Sequence, residues 1–590
     1  VVTADYIVLI CYLFGIFAVG VGLSLKVKDT RDLFAAGGRS PWWAAGLSGF
    51  MTMFSAGTFV VWGGIAYRLG LVAVVINLMY GIAAILVGFF VAGRWKRLGV
   101  ATPAEFIERR FGAGALHFYT WSMMVYRMVG VGVALYSLAI LVVTLMPLAE
   151  GNPLRDPATG NLGLTWAILI FGGVVVIYTM VGGLWAVLMT DVLQFIVLNL
   201  SVLFMIPLIL AEVGGVGGFV SRAPAGFLQP TAGSYTWFFL AGWCAIHFFM
   251  VGAEWAFAQR YICVPSEQDA RKSAFLFGLL YLVSPILWLL PPLAWREIHP
   301  IPADATGAEI TAMAEQAYIL ACRHVLPAGM VGLMLAAMFS ATASMVSSQL
   351  NVFAGVLTED IYAKLRGGQR GSERRQRELL WVGRGFSLLL GVVLVCLALA
   401  VPALGGAEQV IVAITSLLVA PLLAPTVWGL LNRFVGQSAV WVTAAVCIGI
   451  GGLATFVFDE QLKEFGKTPE ILIGVVLPVL VLVVITLCSR QPAAGWERVE
   501  AHVEAHRLRQ LAGAAIPFDP SPAYIVAGCL GLCSVMMAGL LLVNDQDRGT
   551  IAAFGAALAM FATVIAAAAF RRARRLPAPV GSSSLAPEAS

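Results

Sequence analysis

Apolar residues run along this chain in blocks of about twenty, separated by short polar or charged stretches, and about twenty apolar residues is the length a helix needs to cross a bilayer. The pattern predicts fifteen such segments, at 4–24, 42–67, 70–95, 115–147, 163–181, 184–211, 236–260, 273–296, 328–362, 380–403, 407–431, 436–457, 470–488, 521–543 and 550–570. Blocks of this length set the fold class expected, an all-α polytopic membrane protein. The first segment lacks a basic leader and a small-residue cleavage site, so it reads as a span.

Composition agrees: 60% of the residues are apolar and 12% charged, with a mean hydropathy of +0.89. The cations fall in alternate loops. Lys26, Lys28, Arg31 and Arg39 open the series; Arg94, Lys96, Arg97, Arg109 and Arg110 follow, then Arg260, Arg271 and Lys272, and later Lys364 to Arg377, Arg433 and Arg571 to Arg575. By the positive-inside rule these loops are cytoplasmic, which puts the N-terminus outside and the C-terminus inside a plasma (inner) membrane. The net charge of +5 is accounted for by this topology and calls for no nucleic acid. Nine cysteines, seven of them inside the spans, form no CxxC or Cys/His spacing. No phosphate-binding loop, nucleophile elbow or soluble ATPase-sized segment is present, so uphill transport would draw on an ion gradient.

Two spans carry signs of interruption. The second has Gly49, Ser55 and Gly57 halfway along, and the seventh has Gly252 at similar depth with Glu254 beside it. Glycine weakens a helix, and paired interruptions five spans apart fit two inverted repeats of five helices whose unwound backbone faces a site, or ordinary glycines at helix crossings. The segment from Ala328 to Asp360 adds hydroxyls: Ser340, Ser344, Ser347 and Ser348 share one helical stripe, suited either to coordinating a cation or to close helix packing. Ionisable residues inside spans are costly and count as functional candidates. They are Arg127, Asp191, His247 and Glu254; Arg127 needs an anionic partner, for which Asp191 or Glu254 would serve, and His247 is expected to bond a carbonyl of a packed helix. The side chains of Met51, Met53, Phe54 and Phe59 read as core.

The run DLFAAGGRSPWWAAGLSGFMTMFSAGTFV (32–60), the loop TPAEFIERRFG (102–112), the turn YTMVGGLWAVLMTDVLQ (178–194), AQRY with ARKSA (258–274) and LTEDIY (357–362) together resemble the sodium:solute symporter family, in order and over about residues 5–490. The resemblance implies a LeuT-like five-plus-five inverted repeat with extra helices, a central substrate site and sodium-coupled alternating access. It implies a sodium site where the second span meets the ninth, with Met51, Phe54 and Ala341 offering carbonyls and Ser344 a hydroxyl. Many members have a second hydroxyl where this chain has Met345, a poor ligand for a hard cation, for which Ser340, Ser347 or Ser348 would compensate. Asp191 matches an acid below that site and would guide or hold a second cation; the alternative is a helix N-terminal charge. Sugar-transporting members carry a Glu and a Lys where this chain has Asn77 and Tyr281, and a neutral amide is common where it has Glu254. The substrate site expected from this comprises Asn77, Glu254, Tyr281, Met53 and Tyr80. An unpaired Glu254 favours a cation, amine or zwitterion; a Glu254 neutralised by Arg127 favours a polyol, sugar or carboxylate.

The organisation expected is a symporter core over 1–490 with repeats at about 42–211 and 236–431, a cytoplasmic linker at 491–520 ending at Pro520, two additional transmembrane helices at 521–570, and a basic, disordered tail at 571–590. The function expected is sodium-coupled import of a small organic solute, with no organic cofactor and no protein partner required. Two alternatives stand beside it: proton coupling through Glu254 or Asp191, and a sensor that binds solute without moving it. The topology has a direct test. A reporter fused after Arg575 should be cytoplasmic and one inserted near Gly151 external; both on one side would leave an even number of crossings between them and overturn the fifteen-span reading.

Overall fold

In lipid a chain must satisfy its backbone hydrogen bonds within itself, and an apolar chain without strand periodicity does so as helices. The computed structural model describes residues 3–24, 40–179, 184–366, 373–456, 464–511, 521–541 and 548–575. Among them there are helices and a few isolated bridges, with no strand. The cations expected at 26–39, Pro520 and most of the C-terminal tail lie outside the described residues.

The helices that build the site are α1 (Thr3–Ser24), α2 (Trp42–Thr52), α3 (Gly63–Leu69, entered through a π-helical turn at Thr58–Trp62), α4 (Val72–Phe90), α5 (Ala92–Arg97), α6 (Pro103–Phe111), α7 (Ala113–Leu145), α8 (Leu164–Thr179) and α9 (Leu184–Glu212). The second half repeats the series. It comprises α10 (Trp237–Ala253) with α11 (Trp255–Ile262), α12 (Glu267–Ile298), α13 (Gly307–Val325, a non-spanning helix), α14 (Met330–Val356), α15 (Glu373–Ala400) and α16 (Ala407–Leu431). Among the described residues ten helices are long and apolar enough to cross a membrane, eleven with the bent pair α10–α11. Four of the fifteen expected segments fall outside that set: Thr3–Tyr12, Leu164–Ile177 and Val526–Gly539 are shorter apolar helices, and the α2–α3 segment is broken at Met53–Ser55, leaving a first arm of 11 residues and a second that runs through the π-helical turn to Leu69.

The packing of the halves is reciprocal. The first helix of each half, α2 or α10, lies on the second helix of the other, α12 or α4, and these second helices pack on each other. The third helices, α7 and α14, also meet, and each receives the fourth and fifth helices of the opposite half. Such an exchange is what a two-fold relation between halves produces, and it gives the LeuT-like inverted-repeat fold. It buries α14 almost entirely, 94% of its apolar window. A helix surrounded this way has no lipid face on which to place its hydroxyls.

Both interruptions exist, and they lie at Ser55 and Glu254 of the marked residues, with the glycines beside them helical. The first spans Met53 to Ser55; Gly49 lies inside α2, and Gly57 has an ordinary helical φ of −58°. The second is at Glu254, whose extended backbone (φ −64°, ψ 137°) separates α10 from α11 at an angle of 53°. These conformations are open to any residue, so what fixes them is the surrounding packing.

Two further contacts frame the core. The linker forms a helix, Ala494–Leu511, that is docked on the core: Trp496 lies against the buried Arg110 guanidinium, which donates to the carbonyls of Gly429 (3.1 Å) and Asn432 (2.9 Å) at the end of α16. In α1, Asp5 Oδ1 accepts the backbone N–H groups of Gly329 (2.7 Å) and Gly332 (3.0 Å), capping α14 from another helix. Gly329 has φ +89°, and a Cβ on Gly332 would come within 2.1 Å of the Asp5 carbonyl. Asp5→Ala should therefore lower stability by about 1–2 kcal/mol, as cap losses do, read as a reduced melting temperature in detergent.

Candidate functional site: a cavity between two broken helices

The first break leaves the N–H groups at the start of its second arm without helical partners. Side chains take them up: Ser55 N–H donates to Thr58 Oγ1 (3.3 Å), Gly57 N–H to Ser55 Oγ (3.2 Å), and Ala56 N–H to Thr342 Oγ1 (2.8 Å) on α14. The last of these joins the two halves. At the second break the Gly252 carbonyl accepts from Trp95 Nε1 (2.7 Å), again across halves. Met51, a carbonyl ligand by resemblance, already accepts Phe54 N–H at 3.0 Å in the turn.

Between the breaks lies a cavity of about 80 Å³. Thr52, Met53, Ser55 and Thr58 line it from the first break, Trp62, Tyr80, Tyr126 and Arg127 from the same half, and Trp243, His247 and Met250 from α10; Met345 and Thr415 are among the others that line it. Of the side chains expected at the substrate site, Met53 and Tyr80 face this cavity. Asn77 instead donates to the Ala73 carbonyl on its own helix (2.9 Å), and Tyr281 is packed among Tyr80, Phe50, Phe277 and Trp288. Met51, Phe54 and Phe59 are core side chains, whereas Met53 lines the cavity.

Arg127 finds its partner in Glu254: Nη2 is 2.8 Å from Oε2, with both side chains nearly inaccessible at 6% and 1%. The contact is close but poorly aligned, since neither atom meets hydrogen-bond geometry. Arg127 lines the cavity and Glu254 stands behind it, so the charge presented to a solute is largely neutralised. His247 bonds the Trp243 carbonyl one turn back on its own helix (Nδ1 to O, 2.8 Å), where a neighbouring helix was expected. That bond places the proton on Nδ1, leaving Nε2 an acceptor without a partner among the described residues. Its ring packs against Tyr80 (3.7 Å between centroids) and Trp243 (4.7 Å).

The hydroxyl stripe of α14 is engaged piece by piece. Ser344 Oγ donates to Asp191 Oδ1 (2.6 Å), and Ser48 Oγ of α2 donates to Asp191 Oδ2 (2.6 Å), so one carboxylate joins three helices. Ser340 Oγ accepts from Gln194 Nε2 (2.7 Å), and Ser347 Oγ from Asn351 Nδ2 (3.5 Å); Ser348 is buried on the same helix. Sequence reasoning missed Ser48 and Arg260. Both lie on the helices of the quoted motifs, but only the fold brings them to Asp191.

A polytopic bundle in which two helices break around a buried polar cavity, each break stitched to the opposite half, defines an alternating-access secondary transporter. The chain matches the model of the sodium:solute symporter family over residues 33–445, most of its length, and belongs to that family. It is a sodium-coupled symporter and not an enzyme. It is similar to the sodium/sialic acid symporter NanT of Aliivibrio fischeri, 27% identical over 66% of this chain and 75% of the relative. It is also similar to the sodium/glucose cotransporter of Vibrio parahaemolyticus, 28% identical over 69% of this chain and 76% of the relative. A solved structure, the substrate-bound outward-open state of a sodium-coupled sialic acid symporter, shares the fold with a TM-score of 0.65 and 23% identity, over 82% of this chain and 97% of that one.

The buried pair sets a stability test. Arg127→Met should cost about 3–5 kcal/mol by stranding Glu254 as an unpaired buried charge, and Arg127→Met with Glu254→Gln should recover most of that. Melting temperatures of the two purified variants in detergent make the comparison.

Proposed function

We propose that this symporter carries a small, polyhydroxylated solute of the sugar or sugar-acid kind, together with sodium, into the cytoplasm. The observation that carries the reading is the Arg127–Glu254 pair, which removes the case for a cationic or amine substrate that an unpaired Glu254 would make. What remains facing the cavity is a set of aromatic walls, Trp62, Tyr80 and Trp243, with the His247 Nε2 acceptor and a guanidinium edge. Apolar ring faces flanked by separate donors and acceptors suit a solute with an apolar ring face and hydroxyls on its rim. The relatives named for glucose and sialic acid are of this chemistry.

For the coupling ion we assign the meeting of the first break with α14, using the Met51, Phe54 and Ala341 carbonyls and the Ser344 hydroxyl, and a second cation position at Asp191. Support comes from the Ala56–Thr342 bond, which holds these two elements together, and from Asp191, whose oxygens keep free lone pairs beyond the two hydroxyl donors. Ser340, Ser347 and Ser348 are the reserve ligands opposite Met345. We place the protein in the plasma (inner) membrane with its N-terminus outside, the symporter core at 1–490 with repeats at about 42–211 and 236–431, the linker at 491–520, the two added helices at 521–570, and a cytoplasmic tail at 571–590.

Two measurements test this. In proteoliposomes with sodium and pH gradients imposed separately, uptake of labelled glucose, myo-inositol or sialic acid should follow the sodium gradient; uptake of none of them overturns the solute class. Ser344→Ala should raise the sodium concentration for half-maximal uptake about tenfold while the protein still folds, as loss of one ligand to a hard cation does. Ser347→Ala is the control, and a shift in that variant alone would move the ion one turn along α14.

A further inference from the structure

Arg260 is an arginine that the transport scheme leaves without a role. It sits on α11, the second arm of the second broken helix, and is 2% exposed. Its Nη1 donates to the Ala256 carbonyl (2.6 Å) and its Nε to Ser48 Oγ (3.3 Å), while Nη2 has no hydrogen-bond partner among the described residues. Ser48 passes its own proton to Asp191 at 2.6 Å. Arg260 and Asp191 thus share one hydroxyl without forming an ion pair within 4.0 Å, and Asp191 has no other ion pair among the described residues.

We infer that Arg260 is a built-in competitor of the cation at Asp191, a positioning residue that sets how tightly sodium is held and lets it leave. The inference rests on the proposed cation role of Asp191. A carboxylate buried in this protein requires a counter-charge in every state, including the one after the ion has departed. An arginine paired directly to Asp191 would fill the site, and no arginine at all would leave sodium as the only counter-ion and trap it. A guanidinium one hydroxyl away does neither: it compensates Asp191 when the ion is gone and repels the ion when it is present. The four groups are also divided between the halves, Ser48 and Asp191 in the first, Arg260 and Ser344 in the second. Parting the halves at this end therefore takes Ser344 from Asp191 and opens the carboxylate to water, so the ion loses a ligand there, and when the halves close again without the ion Arg260 supplies the counter-charge.

The test needs no solute. The full chain in nanodiscs is titrated with sodium chloride, with choline chloride holding the ionic strength, and the sodium concentration giving half of the thermal stabilisation is recorded. Arg260→Gln should lower that concentration about tenfold, by removing a repulsive charge close to the ion. Arg260→Lys, which keeps the charge, should stay near the parent value. Arg260→Met, which keeps the apolar stem, replaces the Gln variant if the latter does not fold. Asp191→Asn should raise the concentration, and adding Arg260→Gln to it should then change nothing. A sodium requirement that is unchanged or raised in both neutral Arg260 variants, or an equal drop in the Asp191→Asn background, overturns the inference. Asp191→Asn with the parent's sodium requirement overturns the cation role of Asp191 and this inference with it.

Discussion

The structure depends on one bond between halves, from the Ala56 N–H at the first helix break to the Thr342 hydroxyl on α14. A helix interrupted in the middle of a membrane exposes backbone groups that lipid cannot satisfy, each at a cost of several kcal/mol. Ser55 and Thr58 satisfy two of those groups locally, and Thr342 satisfies the third from the opposite half, as Trp95 does for the carbonyl of Gly252. The interruption is thus stable only while the halves are in contact. Any ion or solute that binds at the break binds to that contact and biases the equilibrium between the states that make it and break it.

Charge is handled by the same logic. Arg127 and Glu254 neutralise each other beside the cavity, and Arg260 and Asp191 do so through a shared serine. The close pair locks, because removing either member strands a buried charge. The looser pair has a spare donor on Arg260 and free lone pairs on Asp191, and such a pair is able to admit a third charge.

At the opposite mouth two further bonds join the halves. Glu408, in the first turn of α16, pairs with Arg68, and Glu315 of α13 accepts from Tyr136 of α7 (2.8 Å); Tyr235 (2.7 Å) and the backbone of Ala407 (3.0 Å) hold these two carboxylates in place. Burial raises the Glu315 carboxyl above the usual carboxylate range. The cavity is therefore bounded at both ends by polar contacts between halves, and alternating access requires that one set part while the other holds.

The sequence by itself determined the class of the molecule and the order of its parts. Hydropathy blocks, loop cations and five ordered motifs were enough for a helical membrane protein, an inverted repeat and sodium-coupled transport, because periodicity, length and motif order are properties of the chain alone. It also marked Arg127, Asp191 and Glu254, since charge within a span is conspicuous. It located both breaks to within a few residues, from Gly49, Ser55 and Gly57 and from Gly252 with Glu254 beside it, but not the residues that unwind, because the conformations at Met53–Ser55 and Glu254 are within reach of any residue and are imposed by packing from the other half. Partner choice was likewise beyond it: Arg127 lies 127 residues from Glu254 in the chain, and Ser48 lies 143 from Asp191. Asn77 and Tyr281 were assigned to the cavity by position, yet side-chain direction on a buried helix depends on the rotation that neighbouring helices enforce. Only the tertiary structure decides which of several buried polar groups meet, because each contact is selected by the packing of two separate halves.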